Sequence, residues 1–189
     1  MVLTELLAPA GSYDILVVAI NSGADAVYIA GQRYGARAFA DNFTSEELEK
    51  AVEYAHLNGA SIHVTVNTLF NSKEILDVLK YIQFLYRIGV DAIIVQDVGL
   101  VYLVNKYIPD MEIHSSTQMT LRDYESILWA NDNGIKRVIL PREMPIGEIR
   151  KISDNLERDG IDVDLEVFGH GSLCYCISGD CYMSSFISG

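Results

Sequence analysis

The sequence predicts an α/β fold, namely a (β/α)8 TIM-like barrel that is incomplete at its C-terminus. Five segments share one pattern, in which a helical stretch, a glycine and a short polar hinge precede an apolar strand; the glycines are Gly23, Gly59, Gly89, Gly134 and Gly160. Glycine just past a helix end tolerates the left-handed conformation of a helix cap. Strands that alternate with helices indicate a parallel sheet. No G-x-G-x-x-G turn follows the first strand, which favours the barrel over an open doubly wound sheet.

Seven strands are expected in chain order, and each except the last is followed by a helix. They lie near residues 5–8, 26–30, 61–66, 92–96, 112–116, 137–140 and 163–168. An eighth strand would close the barrel. We expect residues 1–189 to form one domain that stops before this strand, because no linker or low-complexity tract divides them.

The helices show caps and apolar faces. The helix before Gly59 opens with Thr44-Ser-Glu-Glu47, a capping-box pattern, and Leu48, Val52 and Ala55 recur at helical spacing. The helix before Gly89 carries an apolar face made of Ile75, Leu79, Ile82 and either Leu85 or Tyr86.

Alternation along three strands predicts a polar interior. If Ile62, Val64 and Val66 face the helices, the inward residues of the third strand are His63, Thr65 and Asn67. The same reasoning places His114, Asp164 and Glu166 inside. Polar groups in an interior are costly unless they are paired or hydrated, so we interpret this lining as part of a site. The two histidines could equally be satisfied core residues.

More polar residues cluster where strands end, which is the rim that holds barrel active sites. They are Asn67, Gln96 with Asp97, Ser116 to Gln118, Arg142 with Glu143, and Glu166 with His170. Asp97 and Thr117 could instead be helix caps or turn formers. Arg142 and Glu143 could form only an ion pair, although an arginine fork suits a carboxylate or phosphate ligand.

Composition limits the function classes. The formal net charge is −12, which for this chain alone argues against tight RNA binding, because nucleic-acid surfaces are normally basic. No apolar run approaches the length of a membrane helix, and the N-terminus lacks the basic region of a secretory signal. Clustered cysteines fit a reducing compartment, so we expect a cytoplasmic protein without a membrane span.

All three cysteines, Cys174, Cys176 and Cys181, lie in the glycine-rich stretch between Glu166 and Ser184. Gathered thiolates suit soft metals or an iron–sulfur cluster, but a cubane cluster normally needs four of them. A zinc site would need His170 as a further ligand, and ordinary idle thiols are the remaining alternative.

This stretch resembles the signature of the peptidase U32 family. The matching positions are Glu166, Phe168, Gly171, Ser172, Leu173, Cys174, Gly179, Cys181, Met183 and Ser184. Residues 5–11, 114–118 and 140–143 look like further family landmarks. The family contains collagenase-like proteases, and also iron–sulfur proteins needed to hydroxylate RNA bases or ubiquinone precursors.

The resemblance implies that Cys174 and Cys181 are the first two of four cluster ligands, with the other two beyond Gly189. The full-length protein would then hold an iron–sulfur cluster, whereas this chain alone would hold none stably. Glu166, His170 and His114 are the candidate catalytic residues. The candidates for binding an RNA or small-molecule substrate are Asn67, Gln118, Arg142 and Glu143.

Two other functions stay open from the sequence. A collagenase-like peptidase would act as a hydrolase on peptides, but the chain has no G-x-S-x-G or H-E-x-x-H motif, and Cys174 with His170 or His114 is a pairing that spacing does not specify. The other function that stays open is that of a non-catalytic scaffold or assembly subunit. An open barrel leaves strand edges unpaired, so a homo-oligomer through these edges is also expected.

Overall fold

The computed structural model describes residues 4–36, 42–171 and 176–179. The chain divides into two compact units, Met1–Glu112 and Ile113–Gly189. The prediction of a single domain over residues 1–189 stays a prediction, and each unit is described by itself.

The first unit contains four parallel strands in sequence order, each followed by a helix. The strands are β1 (Leu7–Pro9), β2 (Ala26–Ala30), β3 (Ser61–Val66) and β4 (Ala92–Val95). The helices are α1 (Tyr13–Asn21), α2 (Ser45–Leu57), α3 (Ile75–Ile88) and α4 (Val98–Tyr107).

The second unit repeats the pattern with three parallel strands, β5 (Glu112–Ser115), β6 (Ile135–Ile139) and β7 (Asp164–Glu166). A short 3-10 turn at Thr117–Met119 precedes helix α5 (Tyr124–Asp132), and α6 (Ile146–Asp159) joins β6 to β7. The register shifts between Ile113 and His114, so that His114 pairs with Arg137.

All seven predicted strands are therefore confirmed, with small shifts at their ends. No strand end shifts by more than two residues, and β6 begins at Ile135, two residues before the expected start at residue 137. Gly134 explains the shift, because its φ of 77° turns the chain sharply after α5 and the strand starts at once. Gly89 and Gly160 cap α3 and α6 in the left-handed conformation, as the sequence predicts.

The apolar faces of β3 and α3 are buried, although the buried residues of α3 differ in part from those predicted, since Val78 is buried whereas Ile75 and Leu79 are half-buried. Ile62, Val64 and Val66 of β3 are completely buried. In α3 the fully buried stripe is Val78, Ile82 and Leu85, whereas Tyr86 is 42% exposed. Leu85, rather than Tyr86, therefore completes this face. None of the helices that the structure describes has the length and apolar character needed to cross a membrane.

The capping box of α2 is present. The Thr44 hydroxyl oxygen accepts a hydrogen bond from the Glu47 backbone N–H at 3.2 Å, and the Glu47 carboxylate accepts one from the Thr44 N–H at 2.8 Å. These bonds satisfy two backbone donors at the helix start. Leu48, Val52 and Ala55 then point into the core.

Thr44→Ala is expected to lower the free energy of unfolding by about 1 kcal/mol, because the Glu47 N–H loses its acceptor. Urea unfolding followed by circular dichroism measures the change. Ser45→Ala is the control, since Ser45 is an exposed neighbour in the first turn of α2. An equal loss in both variants would contradict the capping explanation.

Candidate functional site

In the first unit, the loop after β2 is tied to the carboxyl end of β3. The Asn67 side-chain oxygen accepts from the Ala36 N–H at 3.0 Å, and the Thr68 hydroxyl donates to the Tyr34 carbonyl at 3.3 Å. Tyr34 has a φ of 67°, which is uncommon for a non-glycine residue and is concentrated at functional sites. Asn67 therefore shapes the rim of this unit, and its role in substrate binding stays a prediction.

The Tyr34 ring lies in an aromatic cluster with Phe70 and Tyr81, with centroid separations of 5.6 and 5.5 Å. Burial, and secondarily the nearby Tyr34, raises the pKa of Tyr81. The Tyr81 hydroxyl lies against Gly31 and leaves no room there for a Cβ atom. The cluster thus holds the β2 loop in one conformation.

Asp97 has the capping role that the sequence left open. One of its carboxylate oxygens accepts from the Leu100 N–H at 2.8 Å and caps α4, and the other accepts from the Phe70 N–H at 3.2 Å. In the second unit the corresponding cap is Ser116, whose hydroxyl accepts from the Gln118 N–H at 3.2 Å. Thr117 is simply the first residue of the 3-10 turn.

Polar side chains share one face of the second unit's sheet. His114, Arg137 and Asp164 are register partners on three adjacent parallel strands, and register partners point to the same side. Glu166 follows Asp164 by two residues, so it lies on that side too. The Arg137 guanidinium is 14% exposed and pairs with the Asp164 carboxylate at 3.1 Å. The structure therefore groups the predicted His114 and Glu166, although their catalytic roles stay predictions.

Arg137 is the member of this face that sequence reasoning missed. The available signal was that Arg137 lies in the strand expected at residues 137–140. It is two residues from the buried Ile139 and therefore points to the same side of the strand. Only the pairing of β6 with β7 shows that its partner is Asp164, because the two residues are 27 positions apart.

Arg142 and Glu143 have separate partners. The Arg142 guanidinium lies over the Phe168 ring, with its central carbon 3.9 Å from the ring centroid. Within the part of the chain that the structure describes, it forms no ion pair with a carboxylate. A guanidinium that lies over an aromatic ring can still use its N–H donors to bind an anionic ligand.

The Glu143 carboxylate bonds Ser178, which lies in the cysteine-containing segment, residues 174–181. One oxygen accepts from the Ser178 hydroxyl at 2.9 Å, and the other accepts from the Ser178 N–H at 3.2 Å and from Arg122 at 3.1 Å. Burial opposes ionisation of Glu143. Hydrogen bonds from its own N–H and from Ser178, together with the Arg122 charge, outweigh burial and lower its pKa.

The lowered pKa of Glu143 predicts a stability difference that depends on pH. Because the folded pKa lies below the ordinary value of 4.5, ionised Glu143 stabilises the fold above that value. This contribution is lost as pH falls through the folded pKa. Glu143→Gln should therefore be less stable than the wild type near neutral pH, and this difference in stability should narrow as pH falls below 4.5.

Urea unfolding at a series of pH values tests this prediction. Glu148→Gln is the matched control, because it removes the same charge from an exposed position of α6. A gap between wild type and Glu143→Gln that stays constant, or widens as pH falls, would contradict the assignment.

The remaining predicted residues are Gln118, His170 and the cysteines. Gln118 is half-buried in the 3-10 turn, and its backbone carbonyl oxygen accepts a hydrogen bond from the Thr120 hydroxyl at 3.5 Å. His170 is exposed just after β7. Cys174 and Cys181 lie outside the described residues, while Cys176 is half-buried.

The fit to a metal or cluster depends on the cysteines. Over residues 4–36, 42–171 and 176–179, no group of three or more His, Cys, Asp or Glu side chains is placed to hold a metal ion. The thiolates have the right chemistry for an iron–sulfur cluster. The whole chain has only 3 cysteines, so a four-thiolate set requires ligands from outside it.

Curated relatives resemble almost the whole chain. It is 40% identical over 97% of its length to the tRNA hydroxylation protein P1 of Bacillus subtilis (strain 168), of which it covers 42%. It is 41% identical over 95% of its length to the 23S rRNA 5-hydroxycytidine C2501 synthase of Escherichia coli (strain K12), covering 26%. It is 35% identical over 95% of its length to the Collagenase of Porphyromonas gingivalis (strain ATCC BAA-308 / W83), covering 44%. The chain thus spans less than half the length of these relatives.

A solved structure gives the fold. The U32 peptidase Mk0906 matches 87% of this chain with a TM-score of 0.71 at 15% identity, and 68% of that structure is covered. This likeness confirms the predicted fold class, a TIM-like α/β barrel. The family model described as Peptidase family U32 matches residues 11–189. The chain therefore belongs to peptidase family U32, which the cysteine-rich signature predicted.

Proposed function

We propose that the full-length protein containing this chain hydroxylates RNA bases in the cytoplasm, and that it uses an iron–sulfur cluster held in part by Cys174 and Cys181. One observation carries the proposal. The segment that bears the cysteines is bonded through Ser178 to Glu143 and to the backbone N–H of Arg142, whose guanidinium is presented on Phe168. A cluster-ligand segment and a cation for an anionic substrate are thus parts of one connected arrangement.

Relatives support this reading of the substrate. One is named for tRNA hydroxylation and another for synthesis of 5-hydroxycytidine in 23S rRNA. They are 40% and 41% identical to this chain, whereas the relative named Collagenase is 35% identical. RNA offers phosphate oxygens throughout its length, and an arginine fork binds such oxygens with two parallel hydrogen bonds.

Each candidate residue has a role in the proposal. Arg142 binds an anionic oxygen of the substrate, and Asn67 and Gln118 contribute amide groups for hydrogen bonding. Glu166 and His114 share a sheet face, and they are the candidates for moving a proton. A bound cluster would supply redox chemistry. The net charge of −12 means that most of the basic surface for RNA must come from outside this chain.

Nucleoside mass spectrometry tests the proposal. RNA from cells that lack the full-length protein should lose a nucleoside with one added oxygen atom, and the wild-type gene should restore it. Restoration should fail with Arg142→Ala or Cys174→Ala. If the same hydroxylated nucleosides are present with and without the protein, RNA hydroxylation is not its function.

A collagenase-like peptidase is the second candidate. The relative named Collagenase is 35% identical over 95% of this chain, and the family itself is described as a peptidase family. Here His170 or His114 would act as a base for Cys174. Cleavage of gelatin by the purified full-length protein, abolished by Cys174→Ala, would favour this function over RNA hydroxylation.

A further inference from the structure

Ser178 forms several hydrogen bonds to other parts of the second unit. It is 5% exposed, and its N–H, hydroxyl and carbonyl all have partners. The N–H and hydroxyl donate to Glu143, the hydroxyl oxygen accepts from the Arg142 N–H at 3.3 Å, and the carbonyl accepts from the Thr120 hydroxyl at 3.3 Å. Two separate loops therefore hold this one serine.

Steric contacts support the hydrogen bonds. Gly179 has a φ of 94°, and a Cβ atom there would collide with the Thr120 hydroxyl oxygen and lie 3.1 Å from the Gln118 carbonyl oxygen. Thr120 itself has a φ of 56°, an uncommon conformation for a β-branched residue. The left-handed turn at Thr120 and the glycine thus fit together at close range.

We propose that Glu143 and Thr120 are positioning residues that fasten residues 176–179 through Ser178, in the stretch of chain between the two proposed cluster ligands Cys174 and Cys181. Ser178 is two residues from Cys176, four from Cys174 and three from Cys181. Groups that support a metal site orient its ligands, and an anchor at Ser178, which lies between the two proposed ligands in the sequence, suits that role. The link to a cluster rests on the proposed function, whereas the fastening itself does not.

The chemical logic favours Glu143 as the stronger of the two anchors. Its ionised carboxylate accepts two hydrogen bonds from Ser178, and charge-assisted bonds are about twice as strong as neutral ones. Arg122 pairs with the same carboxylate and orients it. Thr120 contributes one neutral bond and the contact with Gly179. Loss of Glu143 should therefore release the segment more than loss of the Thr120 hydroxyl.

Alkylation of Cys176 by iodoacetamide, followed by mass spectrometry, measures the fastening directly. In the reduced, cluster-free full-length protein, Glu143→Ala should speed this alkylation about tenfold to a hundredfold. The reason is that Ser178 loses its two hydrogen bonds to the Glu143 carboxylate, so Cys176 is exposed to the reagent more often. Glu148→Ala, at an exposed position of α6, should leave the rate unchanged. The effects of Glu143→Ala and Ser178→Ala on the rate should be less than multiplicative in the double variant, because both changes remove the bond between the Ser178 hydroxyl and the Glu143 carboxylate.

A conservative pair keeps the test decisive if Glu143→Ala fails to fold. Thr120→Ser keeps the hydroxyl that donates to Ser178, and Thr120→Ala removes it, so only the second should speed alkylation. Rates within about twofold of wild type for both Glu143→Ala and Thr120→Ala, in proteins with unchanged Tm, would overturn the proposal.

The cluster provides a second readout. After anaerobic purification, the visible absorbance of Glu143→Ala should decay faster in air than that of the wild type. A wild-type protein that carries no cluster would defeat the proposed function, and the alkylation rates would still decide whether Ser178 is the anchor. Equal decay in the two proteins, with a cluster present in both, would overturn the link between the anchor and the thiols.

Discussion

Cys174→Ala and Cys181→Ala should each abolish the proposed iron–sulfur cluster of the full-length protein, whereas Cys176→Ala should leave most of it. The family signature places Cys174 and Cys181 at the first two ligand positions, and a cubane cluster cannot easily replace a missing thiolate. Cys176 lies between them, two residues from the Ser178 anchor, and matches no ligand position. Iron analysis and visible absorbance of the proteins purified without oxygen measure the effect.

Cys176→Ala is the matched control, because it removes a thiol from the same segment. Residues 1–189 alone should show no stable cluster, since this chain supplies 3 cysteines and the signature assigns only two of them. Equal loss of iron in all three variants would mean that Cys176 is also a ligand. Full retention in Cys174→Ala or Cys181→Ala would remove that residue from the ligand set.

Arg142→Ala should reduce the efficiency of RNA hydroxylation, measured as kcat/KM, about tenfold to a hundredfold. The guanidinium is the proposed contact to an anionic oxygen, and charge-assisted hydrogen bonds of this kind contribute about 1.5–3 kcal/mol. Arg142→Lys should recover only part of the activity, because lysine lacks the planar fork. Initial rates of hydroxylation of purified RNA, measured by nucleoside mass spectrometry, give kcat and KM for each variant.

Phe168→Leu separates positioning from binding. It keeps an apolar side chain under Arg142 but removes the ring on which the guanidinium lies. An exposed cation–π contact contributes about 0.5–1 kcal/mol, so the expected loss is only a few-fold. Arg150→Ala on α6 is the charge-matched control and should have little effect. If Arg142→Ala and Arg150→Ala behave alike, Arg142 does not contact the substrate.

Local signals explain why the fold could be predicted so fully. Gly89 and Gly160 mark helix ends because the left-handed conformation favours glycine, and Thr44 with Glu47 marks a helix start. Each signal acts within a few residues of the chain, so it can be interpreted without knowledge of tertiary contacts. The early start of β6 was missed because the apolar Ile135 is followed by Lys136 and Arg137, which hide the strand pattern.

The partners within the site could not be predicted in the same way. Glu143 is adjacent to Arg142 in sequence, yet it bonds Ser178, which is 35 residues away, and Arg122, which is 21 residues away. Arg142 instead lies on Phe168. The strand order brings these loops together, and no local pattern states which side chains then meet. The sequence predicted polar residues at the ends of the strands, whereas the bonds that Arg142 and Glu143 form required the structure.

Iron and acid-labile sulfide analysis of the full-length wild-type protein, purified without oxygen, tests the central claim most directly. The claim is that the segment anchored by Ser178 carries cluster ligands. Iron and sulfide in comparable amounts, with broad visible absorbance that bleaches in air, is the predicted result. A colourless protein without iron or sulfide would contradict it and would favour the peptidase reading of this family member.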